Sequence, residues 1–181
     1  VGGRLVHGLE AESAERDGAP SLRSWKRLLA NTRQDAAIQI GSVSVCPAEL
    51  VTGFLSALRH ELFTQSNIAS LLREPLEVVV SVPANAHSTQ RFVTLDAFRR
   101  SGFKVRAVIN EPSAAGIEYA HRHANTLSSR REHVIVYDLG GGTFDAALVR
   151  IAGGHHDVAL TAGISALGGD DFDHALRALA L

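Results

Sequence analysis

The residues best equipped for chemistry lie in the run Asp138-Leu-Gly-Gly-Gly-Thr-Phe-Asp145. The segment before it, His133-Val-Ile-Val-Tyr137, is apolar on both faces and leads into an acid. Three glycines make the turn, and a second acid opens the returning strand. Consecutive glycines admit positive φ and carry no side chains, so successive N–H groups can converge on phosphate oxygens. A carboxylate at the end of a buried strand is costly unless a cation compensates it. Mg²⁺ bridging through waters to phosphates suits two acids that flank an anion. Composition alone leaves a plain glycine-rich turn open as the alternative.

Competing motifs fail on their missing members. A Walker phosphate loop needs a Lys after its last glycine, and the nearest match, Gly163 to Gly168, continues into Gly169 and Asp170. His60-Glu61-Leu-Phe-Thr64 begins like a zinc-protease helix and lacks the second His. Gly163-Ile-Ser165-Ala-Leu167 starts like a nucleophile elbow and lacks its final Gly. The pairs His121/His123 and His155/His156 have no Cys or carboxylate at ligand spacing and read as solvated surface residues. The lone Cys46 excludes an internal disulfide or a four-cysteine zinc site.

The elements that must position these groups follow from apolar periodicity. Leu22, Trp25, Leu28 and Leu29 share one side of a helix within residues 21–29, and a strand is expected around Ile38 to Val45. Pro47 opens an amphipathic helix with Leu50, Phe54, Leu58 and Leu62 recurring every four residues, joined by Val51 and Leu55, ending near Gln65 to Asn67. Leu76 to Val82 is a β-branched strand stopped by Pro83. Ser88 can cap a helix to about Ser101, with Phe92, Leu95 and Phe98 on one face and Gly102 closing it. Lys104 to Ile109 is a second strand, and a helix opens at Asn110-Glu111-Pro112. Two β-α units in succession predict a parallel sheet. After a polar linker over 124–132, three strands at about 133–138, 144–151 and 156–162 with short turns predict antiparallel pairing. A last helix starts at Asp170 and Asp171 and is expected to run to the end of the chain.

Composition sets the outer bounds. The chain has 181 residues, 18 basic and 19 acidic side chains, a net charge of −1, 45% hydrophobic residues and no Met. That is a globular composition, and the absent Met is expected of an excised, processed or truncated piece. The balanced charge argues against nucleic acid as a partner, and the longest apolar stretch, around Val78 to Val82, is too short to cross a membrane. With no signal peptide in view, the expected location is cytoplasmic. Only Lys26 and Lys104 are lysines; the other basic residues are Arg.

Five segments, taken in order, resemble the nucleotide-binding domain of the DnaK-type, seventy-kilodalton heat-shock chaperones, stress-response proteins of the actin and sugar-kinase ATPase superfamily. They are Ser24-Trp-Lys-Arg-Leu-Leu29, Val80-Ser-Val-Pro-Ala84 with Gln90-Arg91, Ile109-Asn-Glu-Pro-Ser-Ala-Ala115, the Asp138 to Asp145 run, and Leu167-Gly-Gly-Asp-Asp-Phe-Asp173. The resemblance implies an α/β, actin-like (ribonuclease H-like) ATPase fold. It would be incomplete, holding the second half of the lobe I core and the first half of the lobe II core. Residues 1–45 would be a lobe I appendage, 46–131 the lobe I β-α-β-α core, and 132–181 the β-β-β-α start of lobe II.

The resemblance also implies roles. Lys26 would position the attacking water and contact the γ-phosphate, fitting a compact ammonium acting as a point charge. Glu111 would lie near metal and phosphates. Asp138 and Asp145 would hold Mg²⁺ and K⁺ through waters, Gly140, Gly141, Gly142 and Thr143 would wrap the β- and γ-phosphates of ATP or ADP, and Gly169 would be a further nucleotide contact. Catalytic duty would fall on Lys26, Glu111, Asp138 and Thr143. Pro83 and Arg91 would relay nucleotide state to a peptide-binding domain, although Asn85-Ala-His-Ser-Thr89 departs from the aromatic residues of the best-known members, and Asp170 stands where many have Glu. Implied partners are a J-domain co-chaperone, a nucleotide-exchange factor and unfolded client peptides. A first phosphate hairpin is expected upstream of Val1, and the adenosine-binding elements and peptide-binding domain downstream of Leu181, so the isolated chain is expected to be inactive. Two alternatives stay open: another actin-superfamily ATPase or kinase, and a non-catalytic scaffold that self-associates through exposed sheet edges.

Overall fold

The computed structural model describes residues 3–31, 36–123, 132–152, 155–164 and 166–180. The elements are α1 (Gly8–Arg16), α2 (Lys26–Asn31), β1 (Ile38–Ile40), β2 (Val43–Val45), α3 (Pro47–Thr64), a 3₁₀ turn (Ala69–Leu71), β3 (Glu77–Val82), α4 (Ser88–Arg100), β4 (Lys104–Asn110), α5 (Glu111–Arg122), β5 (His133–Leu139), β6 (Phe144–Ala152), β7 (His155–Ile164) and α6 (Gly169–Leu179). They form two compact units, one of Val1–Val80 and His87–Ala107, the other of Ser81–Ala86 and Val108–Leu181. Most of the linker expected at 124–132 lies outside the described residues.

The first unit is built on α3 and α4. Pro47 sits at the first helical position of α3, where its missing N–H costs nothing, and Glu49 accepts the Cys46 N–H at 3.3 Å. Val51 and Leu55 of α3, Ala97 of α4 and Phe103 form the buried core, with Trp25, Leu29, Phe54, Leu62 and Phe98 packed around them. Of the expected stripe, Leu50 is buried and Phe54 and Leu62 pack against the core, whereas Leu58 is 38% exposed. On α4 the buried stripe is Gln90, Val93 and Ala97, and Phe92 points to solvent. The small Ala97 lets the two helices approach, and Ser101 Oγ ties them by donating to Thr52 O at 3.0 Å. Gly102, at φ +84°, closes α4 in the left-handed region, as expected.

Some local expectations need correction. Ser88 is the first helical residue of α4, and His87 occupies the cap position. The helix expected over 21–29 begins only at Lys26, because Ser24 adopts φ +47° and breaks any earlier helical run. The strand expected over 38–45 is a hairpin, β1 pairing antiparallel with β2 around Gly41 at φ +60°. β3 and β4 pair as neighbours in a sheet. There Lys104 lies 3.0 Å and Arg106 3.1 Å from the Glu77 carboxylate, and the hydrogen bond from Lys104 holds that carboxyl below its usual range.

The second unit carries the three-stranded antiparallel sheet β5-β6-β7. One face packs on α5: Ala147, Val149 and Ile151 are buried with Ala120, Val134, Val136 and Val158. A Cβ on Gly116 of α5 would come within 3.1 Å of Val149, so the glycine sets how closely helix and sheet approach. The other face, with Ile135, Tyr137, Leu160 and Ile164, is exposed.

Candidate functional site

The β5-β6 register sets Asp138 directly opposite Asp145, with Leu139 opposite Phe144 and the glycines in the turn beyond. Both acids therefore project from the same face of the sheet, the one that also packs α5. Gly140 N–H donates to Thr143 O at 3.0 Å and closes the ladder.

The turn is held from behind by the start of α6. Gly169 N–H donates to Gly140 O at 3.0 Å, and Asp170 N–H to Gly141 O at 2.9 Å. These bonds satisfy two of the helix's otherwise unpaired first-turn donors. Gly168 packs so tightly that an added Cβ would lie 2.4 Å from Gly141 O and 2.6 Å from Gly142 N. Asp171 completes the corner by accepting the Gly168 N–H at 2.8 Å. In a planar trans peptide the N–H points opposite to its C=O. Since the carbonyls of Gly140 and Gly141 face α6, the amides of Gly141 and Gly142 are turned the other way, to the side where an anion would meet them.

A cavity of about 190 Å³ lies against the sheet, and Pro83, Glu111, Tyr137, Asp138, Asp145 and Thr161 are among its lining residues. Glu111 reaches it because Pro112 starts α5 at the end of β4, and an acid in the first turn of a helix is favoured. Hard oxygen donors of this kind suit Mg²⁺, which keeps several waters and takes one or two carboxylates besides phosphate oxygens. Among the described residues no group of three His, Cys, Asp or Glu side chains closes on one point. The donor set thus fits a hydrated ion and not an all-protein cage.

The structure brings Glu111, Asp138, Asp145 and Pro83 around one cavity, and Gly140, Gly141 and Gly169 into one hydrogen-bonded corner with Gly142 at close quarters. Thr143 is half-buried and anchors the turn through its carbonyl. Lys26, exposed at the start of α2, and Arg91, half-buried in α4, belong to the first unit. His121, His123 and His155 are exposed as expected, whereas His156 is half-buried, and its Nε2 is buried without a hydrogen-bond partner among the described residues. Sequence reasoning missed Gly163 and Gly168. In sequence Gly163 stands in two failed motifs, and Gly168 in one of them and in the Leu167 to Asp173 segment, with no sign of the close approach either makes.

An acidic pair set opposite each other at a glycine hairpin, backed by a helix start on an antiparallel sheet, defines a candidate phosphate- and metal-binding corner of a mixed α/β protein. The model of the family "Hsp70 protein" matches residues 26–180. Proteins named "Chaperone protein HscA" from Salmonella newport (strain SL254) and Salmonella heidelberg (strain SL476) are each 36% identical over 189 residues, covering 96% of this chain and 30% of their own length. The HscA of Salmonella enteritidis PT4 (strain P125109) matches to the same extent. The chain belongs to the Hsp70 family, and it spans about 30% of the length of these relatives. No helix among the described residues is long and apolar enough to cross a membrane.

Proposed function

We propose that this chain forms one wall of the ATPase site of an Hsp70-type molecular chaperone, which binds and hydrolyses ATP to control its hold on unfolded polypeptides. The observation that carries the reading is the register pairing of Asp138 with Asp145 at the rim of the glycine turn, with Glu111 on the same cavity. Phosphoryl transfer is catalysed mainly by positioning and charge stabilisation, which is what such a corner can offer.

In this reading Mg²⁺, when bound, supplies charge neutralisation at the phosphate oxygens, with K⁺ as a further ion. Asp138 and Asp145 would hold the cations. The amides of Gly141 and Gly142 cradle the phosphates, and the Thr143 hydroxyl orients the γ-phosphate. Glu111 orders water beside them. Lys26 takes the role that the resemblance implies for it toward the γ-phosphate and the attacking water, and ATP and water become ADP and phosphate. Gly169 secures the hairpin to α6 and adds a nucleotide contact. Pro83 and Arg91 relay nucleotide state to a peptide-binding domain. Residues 1–131 would belong to lobe I and 132–181 to lobe II of an actin-like fold, in a cytoplasmic protein served by a J-domain co-chaperone and a nucleotide-exchange factor. The isolated chain would bind ATP weakly or not at all. The experiment is single-turnover ATP hydrolysis by the protein that carries this chain. Lys26→Ala or Asp138→Ala should abolish it, and unchanged turnover would sink the assignment.

A further inference from the structure

Asp138, Asp145 and Gly163 occupy one row across the sheet, since Asp145 is the register partner of Asp138 on β5 and of Gly163 on β7. Three residues aligned in this way share one face, and like charges directly opposite each other repel. Asp145, in the middle, has a charged neighbour on one side and a residue without a side chain on the other. Its carboxylate leans over the glycine: a Cβ built on Gly163 would lie 2.6 Å from Asp145 Oδ1 and 3.4 Å from its Cγ. Gly163 is not among the glycines with positive φ, so its backbone torsion does not demand glycine. What demands it is the space taken by the Asp145 carboxylate.

We propose that Gly163 is a positioning residue of the cation site. By lacking a side chain it lets the Asp145 carboxylate lie toward β7, which keeps it off Asp138 and sets the gap in which the pair takes a hydrated divalent cation. This rests on the reading of Asp138 and Asp145 as the cation-holding pair and adds the residue that sets their spacing. An Ala at this position would push the carboxylate back toward Asp138. Residues that orient metal ligands from behind typically cost ten- to a hundredfold in metal affinity when replaced.

The test uses Mn²⁺ alone as probe, its binding followed by the electron paramagnetic resonance signal of the free ion, on the protein that carries this chain. Asp145→Ala should lose the site and Gly163→Ala should weaken it by roughly ten- to a hundredfold. If Asp145→Ala leaves Mn²⁺ binding unchanged, the reading of the acid pair fails and the proposal with it. If Asp145→Ala loses the site and Gly163→Ala binds as wild type, the pair stands and the role of Gly163 is overturned. Thermal melts supply a readout independent of metal. Any destabilisation by Gly163→Ala should be relieved in the Gly163→Ala/Asp145→Ala double variant, which has no carboxylate to displace. A double variant as unstable as the single one would mean that the strand backbone, with Phe144 O 3.2 Å from the same Cβ position, refuses the methyl group, and the proposal would fall.

Discussion

Replacing Gly168 by Ala should undock α6 from the hairpin, and the geometry says how strongly. Gly168 has φ −173° and ψ −174°, extended backbone that any residue adopts, so torsion adds no penalty. The obstacle is contact: the new Cβ would lie 2.4, 2.5 and 2.6 Å from Gly141 O, Gly141 C and Gly142 N. All three are backbone atoms, and no side-chain rotation can relieve the clash. The chain then has two ways out. It can hold the dock under strain, at about 1–3 kcal/mol for an overpacked methyl group. It can also release the two bonds from Gly169 and Asp170, at about 1 kcal/mol each. The cheaper route governs, so the expected loss is about 2 kcal/mol, or about 4–8 °C in melting temperature for a chain of this size. Gly169→Ala is the matched control, because its Cβ meets nothing closer than Gly141 Cα at 3.8 Å and Ala is the better helix former. Gly168→Ser separates clash from capping, since Ser is a superior N-cap that carries the same Cβ. Thermal melts should place Gly168→Ala and Gly168→Ser well below wild type and Gly169→Ala at or above it. Amide exchange at Gly169 and Asp170 should speed up in the first two variants. A Gly168→Ala protein with wild-type stability and protected amides, or a Gly168→Ser protein restored by its cap, would refute the reasoning.

Two further outcomes follow from charge. Asp138→Asn removes one of two carboxylates set directly opposite each other, so melts in the presence of a chelator should show a gain of about 0.2–1 kcal/mol. The same variant should lose any stabilisation by Mg²⁺, and a variant less stable than wild type in chelator would contradict the pairing. His7 packs edge-on to Phe54 with ring centroids 6.2 Å apart and fills the space beside Gly53, and burial lowers its pKa against the opposing pull of Glu10. The unfolded chain then takes up this proton before the folded one, so the contribution of His7 is complete above pH 6.5 and is lost as pH falls from there through the lowered folded value. Urea titrations at several pH values should show a stability difference between wild type and His7→Phe that shrinks or reverses on acidification across this window, and a pH-independent difference would contradict it.

What the sequence made legible were features written in local pattern. The β5-β6 hairpin, the Pro47 start of α3, the α5 start at Glu111 and the antiparallel order of β5 to β7 all follow from alternation, glycine turns and proline at helix starts. α1 escaped because it buries nothing. Its ion pairs, Arg4 with Glu10, Arg16 with Glu12 and Arg23 with Glu15, leave no apolar stripe to detect. The corner made by Gly141 and Gly168 escaped because a contact between backbones distant in sequence has no periodic signature. Gly163 escaped because space left for a carboxylate one strand away looks, in sequence, like any glycine. The sequence of β5 is apolar on both faces, which is usual for strands covered on both sides. Here one face packs α5 and the other leaves Ile135 and Tyr137 exposed.

The central proposal is that the Asp138–Asp145 corner and Lys26 both serve Mg²⁺-dependent ATP hydrolysis by the protein that carries this chain. It is tested most directly by single-turnover release of phosphate from γ-labelled ATP by the protein that carries this chain, with Mg²⁺ and after chelation. The account predicts release in Mg²⁺, none in chelator, and none from Asp138→Ala or Lys26→Ala even when their melting temperatures match wild type. Phosphate release by folded Asp138→Ala at the wild-type rate would contradict it.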